Sequence, residues 1–107
     1  NISSVIAIVD LNFIGNFDLI KKFMDWKKLH KQWRACGWHV IKISDGNNIN
    51  QVLNALEKTK KIKNKPIVII AHTIKGKGVK KFEGNRLWAT RQVDETTYYQ
   101  AKKEISS

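Results

Sequence analysis

The chain has 107 residues, of which 42% are hydrophobic, enough for one small core. Its formal net charge of +11 raises the question of a polyanion partner, but only three of its 20 basic residues are arginine. The basic residues are also scattered over predicted helix faces, without the arginine and aromatic grouping typical of nucleic-acid readout, so nucleic-acid binding is not expected. The sequence holds no apolar run of about 18 residues, which argues against a membrane-spanning helix. Its single cysteine, Cys36, excludes an internal disulfide and fits a reducing, cytoplasmic location.

Alternating apolar segments and turn residues predict strands and helices that follow one another along the chain. In chain order they predict a strand at 5–9, a short helical turn at 17–24, a helix from the capping residue Asp25 to Cys36, a strand at 38–43, a helix capped by Asn48, a strand at 66–71 and a last helix at 94–105.

Two of the predicted helices have apolar residues at three- and four-residue spacing, which indicates one buried face on each. On the first helix this face is predicted to consist of Trp26, Leu29, Trp33 and Cys36, and on the second of Ile49, Val52, Leu53 and Leu56. Gly37 follows the first helix, as expected of a glycine that ends a helix. Trp26, Trp33 and Trp38 could also stack on a sugar, but their spacing favours a place in the core or at a subunit interface.

The segment 66–71, PIVIIA, is the strongest strand signal. Its nearly continuous branched apolar character predicts a strand buried on both faces, as in a parallel sheet. The strand leads into a basic, glycine-rich loop at 75–78, and ligands of α/β proteins bind beyond the carboxyl ends of such strands. The glycines allow close backbone approach and the lysines attract phosphate, although a solvated basic turn would have the same composition.

The alternation of strands and helices predicts an α/β fold of parallel βαβ units. Three strands correspond to half of a doubly wound sheet. We expect residues 1–80 to form this half-domain and residues 81–107 to form a polar loop and a C-terminal helix.

Five separate segments keep the order and spacing of a known family. They are Asp-Leu-Asn at 10–12, KQWRACGWHVIKISDGNN at 31–48, the LNALEKTK helix, KPIVIIAHTIKGKGV at 65–79 and an aromatic ending at Trp88. Together they resemble the amino-terminal thiamine-diphosphate-binding domain of transketolases, especially of the split-subunit kind. This chain would be the C-terminal half of that domain. The resemblance covers residues 5 to about 90.

The resemblance implies a site for thiamine diphosphate and Mg²⁺. In the family a Gly-Asp-Gly motif and, some 30 residues later, an asparagine and a backbone carbonyl hold the divalent ion. Asn12 and the carbonyl of Ile14 match the last two ligands, and such oxygen donors suit Mg²⁺. The Gly-Asp-Gly segment is expected upstream of Asn1, so this fragment should bind metal poorly. Without the resemblance, Asn12 would be interpreted as the start of an Asx turn.

The family also implies that the loop after the third strand lies against the cofactor. Ile74 and Lys75 occupy the matching positions, and Lys75 could approach the diphosphate as a mobile point charge. We expect Lys77 to be solvated, and His72 to be packed or hydrogen-bonded rather than catalytic.

One position departs from the family pattern. Split subunits continue from the glycine loop to Glu-Asn and then to Trp-His-Gly. Glu83 and Trp88 fit this spacing, but Ala89 stands where the histidine is expected and Thr90 where the glycine is expected. Alanine cannot exchange protons or donate a hydrogen bond, so no catalytic residue is assigned and the substrate could be unusual or the activity degenerate.

These observations favour part of a transketolase-like transferase of carbohydrate metabolism that moves a two-carbon ketol unit between sugars. A second subunit or domain would supply the pyrimidine-binding half, in a homo- or hetero-oligomer acting on a sugar or sugar phosphate. The alternatives are an enzyme similar to deoxyxylulose-phosphate synthase or to a 2-oxo acid dehydrogenase, or a non-catalytic basic α/β binding module.

Overall fold

The computed structural model describes residues 3–14 and 25–107, except the side chain of Trp26. The helical turn predicted at 17–24 lies outside these residues. The described residues fall into two compact units, one with residues 3–11 and 25–73 and the other with residues 12–14 and 74–107. The predicted domain boundary near residue 80 stays a prediction.

The first unit contains a parallel sheet, as the sequence predicted. Its strands are β1 (Ile6–Leu11), β2 (His39–Ile43) and β3 (Ile67–His72), and the described sheet has the order β1-β3-β2. Each strand begins one residue later than predicted. β1 also extends to Leu11, and β3 to His72, because these two residues pair at the carboxyl ends of the strands.

The central strand β3 is buried on both faces from Ile67 to Ala71, which confirms the prediction from its continuous apolar sequence. On one face, buried residues of β2 and β3 pack with Ala55; on the other, Val68 and Ile70 pack with Leu11, Leu29 and Val40.

Helix α1 (Leu29–Ala35) follows a 3₁₀ turn at Trp26–Lys28, in which the Asp25 carboxylate accepts the Lys27 N–H at 3.0 Å. Gly37, with φ of 84°, follows the C-cap residue as expected. Trp33 packs against the core, but Cys36 is exposed. The prediction of a buried Cys36 is therefore wrong: the helix ends at Ala35, and the chain turns before position 36 can continue its apolar face.

Helix α2 (Ile49–Thr59) begins at the predicted cap, where the Asn48 side chain accepts the Asn50 N–H at 3.0 Å. Its predicted apolar face is largely wrong. Ile49 and Leu53 are 65% and 52% exposed, and Leu56 is also exposed. Val52 does pack against the core as predicted, together with Ala55, and Thr59 is also buried, because small side chains let the helix lie close to the strands.

The second unit contains a 3₁₀ turn at Arg86–Ala89 and helix α3 (Glu95–Ile105). Asp94 caps α3 by accepting the Thr97 N–H at 2.7 Å, so the last predicted helix is confirmed. This hydrogen bond is the main cause of the lowered pKa of the Asp94 carboxyl. Thr97 and Ala101 are buried on the inner side of the helix. Among the described residues, no helix is long and apolar enough to cross a membrane.

The exposed and buried isoleucines of one sheet row allow a matched test of core packing. Ile8 pairs with Ile69, yet Ile8 is 62% exposed and Ile69 only 2%. We expect Ile69→Val to lower the free energy of unfolding by about 0.5–1.5 kcal/mol, because it leaves a small cavity. Ile8→Val should change it by less than about 0.5 kcal/mol. Chemical denaturation would measure both, and an equal loss would show that another part of the protein covers Ile8.

Candidate functional site

The loop that follows β3 folds back on itself. The Gly84 N–H donates to the Lys75 carbonyl at 2.9 Å and so joins the two ends of the segment 75–84. Between them, Val79 is buried and its carbonyl accepts the N–H groups of Phe82 and Glu83 at 2.8 and 3.0 Å. The glycine-rich sequence therefore forms a closed loop with its own small apolar anchor, rather than an open solvated turn.

Glu83 stabilises the loop from inside. Its carboxylate accepts the Gly78 N–H at 3.1 Å and lies 3.4 Å from the Lys77 ammonium. The hydrogen bond from Gly78, followed by the one from Lys77, holds the pKa of the Glu83 carboxyl below its ordinary value. Lys77 was predicted to be solvated. It is exposed, as predicted, but its ammonium is also paired with Glu83, so it is less free than Lys75 to meet a ligand.

A cavity of about 270 Å³ opens beside this loop within the second unit. Its lining residues are Lys75, Gly76, Phe82, Asn85, Trp88 and Val93. One wall is aromatic: the Phe82 and Trp88 rings are 4.8 Å apart at 45°. Cations flank that wall, with the Lys81 ammonium and the Arg91 guanidinium 5.3 and 5.2 Å from the Trp88 ring centre. The cavity thus combines an apolar surface with positive charge, which suits an anionic organic ligand.

Asn85, which also lines the cavity, is held by two side-chain hydrogen bonds. Its side-chain oxygen accepts the Leu87 N–H at 3.1 Å and caps the 3₁₀ turn at Arg86–Ala89, while its amide nitrogen donates to the Lys81 carbonyl at 3.3 Å. Ala89 is the last residue of this turn and is exposed.

Asn12 begins an Asx turn directly after β1. Its side-chain oxygen accepts the Ile14 N–H at 2.9 Å, and Phe13 between them has a positive φ of 58°. This hydrogen bond holds the side-chain oxygen of Asn12 in one orientation. Among the described residues, no three His, Cys, Asp or Glu side chains gather as a metal cluster. The two predicted metal ligands are the side-chain amide oxygen of Asn12 and the backbone carbonyl oxygen of Ile14.

All four predicted site residues, Asn12, Ile14, Ile74 and Lys75, belong to the second unit. Ile74 is exposed, and Lys75 lines the cavity. The sequence did not single out Phe82, Asn85 or Val93 as part of the site. The Asn-x-Leu pattern at 85–87 is a turn-capping signal that could have identified Asn85.

At the carboxyl edge of the first unit, Thr73 ties two strands together. Its hydroxyl donates to the Asp10 carboxylate, and its N–H donates to the Leu11 carbonyl at 3.4 Å. His72, which precedes it, is exposed, and its carbonyl accepts the Gly46 N–H at 2.6 Å. Trp33 and Trp38 pack on the core of this unit, 4.8 Å apart and edge to face, as their spacing predicted.

The hydrogen bond between Gly78 and Glu83 predicts that the stabilisation by Glu83 depends on pH. Because the folded pKa of Glu83 is lowered, its stabilisation is present above the unfolded pKa and disappears as pH falls below about 4. Glu83→Gln should therefore destabilise the protein at pH 7, and the difference from wild type should vanish towards pH 3. Urea denaturation across this range would measure it. Glu57→Gln is the matched control, since Glu57 is in an exposed ion pair with Lys60; an equal, pH-independent loss in both variants would contradict the role of Gly78.

The thiamine diphosphate binding domain of transketolase matches residues 1–104 of the chain. Among individual proteins, the chain is 33% identical over 101 residues to a 6-deoxy-6-sulfo-D-fructose transketolase subunit of a Clostridium strain. It is 27% identical over 105 residues to an apulose-4-phosphate transketolase subunit of Phocaeicola vulgatus, and 29% identical over 106 residues to human transketolase.

These matches cover 94%, 98% and 99% of this chain, but only 36%, 37% and 16% of the respective relatives. The chain therefore spans little more than a third of the two bacterial subunits and about a sixth of the human protein.

Solved transketolases have the same fold as this chain. The structure from Leishmania mexicana superposes with a TM-score of 0.62 at 24% identity, covering 94% of this chain and 18% of that one. A transketolase variant from Pichia stipitis, solved with fructose 6-phosphate, gives 0.63 at 20% identity, covering 95% and 18%. These likenesses confirm the α/β class, and the family match confirms the resemblance inferred from the five sequence segments. The chain belongs to the transketolase family, in its thiamine diphosphate binding domain.

Proposed function

We propose that the protein is part of a transketolase-like enzyme that transfers a two-carbon ketol unit between sugars. The observation that carries this proposal is the family match over residues 1–104, and the closed basic loop at 75–84 supports it. Thiamine diphosphate, when bound, supplies the carbon–carbon bond chemistry, while the protein binds and orients it.

In this proposal the second unit holds the diphosphate end of the cofactor. Lys75 lines the cavity and, unlike Lys77, makes no ion pair among the described residues, so its ammonium is available for phosphate. Ile74 is exposed beside it and would contact the cofactor through apolar atoms. The side-chain oxygen of Asn12 and the carbonyl of Ile14 would supply two ligands of a Mg²⁺ ion, whose remaining ligands are phosphate oxygens, water and a carboxylate from elsewhere.

Catalysis would also need a second subunit or domain, in a homo- or hetero-oligomer. Two relatives are described as transketolase subunits, which supports such a partner. Exposed apolar residues on β1 and α2, among them Ile6, Ile8, Ile49 and Leu53, also leave surface for another polypeptide to cover. A cytoplasmic location is part of the same proposal.

The substrate is proposed to be an anionic sugar. The names of two relatives refer to a sulfosugar and to apulose 4-phosphate, both anionic sugars. The cations around Trp88 support an anionic sugar for this protein too. The direct test is a ketol-transfer assay of the full protein with its partner on a panel of neutral, phosphorylated and sulfonated sugars.

The metal proposal predicts a binding defect. Asn12→Ala should weaken Mg²⁺-dependent binding of thiamine diphosphate at least about tenfold in the full protein, because the ion loses an oxygen ligand. Isothermal titration would measure this directly, without turnover. Asn12→Asp should bind nearly as well as wild type, since it keeps an oxygen ligand and an acceptor for the Ile14 N–H.

A control variant tests whether Asn12 acts as a metal ligand or only as a turn residue. Asn54→Ala changes an exposed asparagine of α2 and should leave cofactor affinity unchanged. If Asn12→Ala lowered only the melting temperature and left cofactor affinity intact, Asn12 would be a turn residue and not a metal ligand.

A further inference from the structure

A second cavity lies at the amino ends of the sheet strands, opposite the carboxyl ends that precede the segment 75–84. We call that segment the cofactor loop, because we propose that it holds the diphosphate of the cofactor. The cavity has a volume of about 280 Å³ and is lined by Arg34, Gly37, Trp38, His39, Val40 and Lys65. These residues come from the end of α1, the start of β2 and the residue before Pro66, all within the first unit. We call it the amino-edge pocket, because His39 and Ile67 pair at the amino ends of β2 and β3.

Backbone hydrogen bonds hold the walls of this pocket. The His39 N–H donates to the Pro66 carbonyl at 2.8 Å, which fixes the start of β2 against the residue that follows Lys65. The Gly37 N–H donates to the Arg34 carbonyl at 2.9 Å, and the Trp38 N–H donates to the Trp33 carbonyl at 3.1 Å. These contacts also occupy carbonyls at the end of α1, and so reduce the negative partial charge that a helix C-terminus presents.

The pocket is basic, and none of the described residues that line it is acidic. Arg34 and Lys65 supply two positive charges, and His39 supplies a third nitrogen donor group. Within residues 3–14 and 25–107, the ion pairs involve Lys28, Lys60 and Lys77, and none involves Arg34 or Lys65. Both side chains are exposed, so their charges are available to an anion from solution.

One wall is an immobilised aromatic ring. Trp38 is half-buried and packs edge to face on Trp33, with ring centres 4.8 Å apart. An indole next to two cations offers an apolar surface for the organic part of a ligand whose charged part meets Arg34 and Lys65.

We propose that the amino-edge pocket binds the phosphate monoester of a small metabolite, at a site separate from the cofactor loop. The planar guanidinium of Arg34 can donate two hydrogen bonds to one phosphate, and Lys65 adds a mobile point charge. The volume fits a phosphate with a sugar or a small base beside it. A nucleic acid would need an extended basic groove with several stacking platforms, and this compact pocket has one.

The proposal does not depend on the ketol-transfer activity, because it involves neither the cofactor loop nor Asn12. The phosphate could belong to a sugar phosphate or to a nucleotide. These sources share the charged group and differ in whether a base contacts Trp38.

The test is a site-resolved NMR titration of the full protein with inorganic phosphate, ribose 5-phosphate and AMP at low salt. We expect shifts of the Gly37, His39 and Val40 amides with all three ligands. Arg34→Gln and Lys65→Gln should each weaken this binding about tenfold, as expected for loss of a charged hydrogen bond. A further shift of the Trp38 indole N–H with AMP alone would support a nucleotide, and equal behaviour of AMP and ribose 5-phosphate would support a sugar phosphate.

Matched controls separate a built site from diffuse charge. The control variants are Lys63→Gln and Lys31→Gln. Lys63 lies in the same loop as Lys65, and Lys31 lies one turn before Arg34, but neither residue lines the pocket. Both variants should retain wild-type affinity. Equal losses in all four variants, absence of shifts at the pocket amides, or tighter binding of duplex DNA than of AMP would overturn the proposal.

Discussion

Replacing Ala89 with histidine should raise ketol transfer by the full protein and its partner by on the order of 10²-fold or more. The assay is transfer from xylulose 5-phosphate to ribose 5-phosphate, on which we expect the wild type to be slow. Ala89 ends the 3₁₀ turn capped by Asn85 and directly follows Trp88, which lines the cavity. Because position 89 is exposed, an imidazole can be added without displacing a core side chain.

The gain should come from proton handling and not from binding. Histidine takes up and releases protons near neutral pH, whereas alanine has no such group. Ala89→Gln is the matched control, since glutamine can form hydrogen bonds but does not titrate. We expect it to leave the rate near the wild-type value, and expect both variants to bind thiamine diphosphate as the wild type does. Rapid turnover by the wild type on these pentose phosphates would show that another residue fills the role.

Local signals predicted much of the fold because they act within a few residues. The apolar run before His72 identified the central strand, and the side chains of Asn48 and Asp94 identified two helix starts that the structure confirms. Each of these features depends on a hydrogen bond or on burial that the sequence specifies by its spacing.

The packing direction of α2 could not be predicted in the same way. Ile49, Leu53 and Leu56 have the spacing of a buried face but are exposed, whereas Ala55 and Thr59 are buried. Periodicity finds an apolar stripe, yet the approach distance between helix and sheet decides which stripe is buried. Small residues at the contact and large ones outside it are consistent with a surface that another polypeptide covers.

Of the four site residues predicted from the family resemblance, Lys75 lines the cavity, and the ligand roles of all four stay predictions. Asn12 and Lys75 were identified through the family resemblance, but the hydrogen bond from the Gly78 N–H to Glu83 was not expected. That contact exists only because the loop closes through Gly84 and Lys75, a pairing that no local pattern specifies. The cavity beside it depends in turn on the same closure.

Gly76→Ala should disrupt this closure and give the largest loss among single substitutions in the loop. Gly76 has a φ of 77°, and a Cβ built there would lie 2.7 Å from the Phe82 carbonyl oxygen and 2.8 Å from the carbonyl carbon. The left-handed conformation costs about 1–3 kcal/mol for a non-glycine residue, and the clash with backbone costs about 1–3 kcal/mol more. We therefore expect the free energy of unfolding to fall by about 2–6 kcal/mol in chemical denaturation.

Gly78→Ala separates the cost of the positive φ from the cost of the clash with the Phe82 backbone. Gly78 also has a positive φ, of 104°, but a Cβ there would meet nothing within 4 Å. Its substitution should show only the conformational cost, about 1–3 kcal/mol. Gly76 and Lys75 both line the cavity, so Gly76→Ala should also weaken thiamine diphosphate binding by more than about tenfold, whereas Gly78→Ala should weaken it less. Equal losses of stability and affinity in the two variants would mean that the clash with Phe82 does not govern the loop, and that its closure tolerates a side chain at position 76.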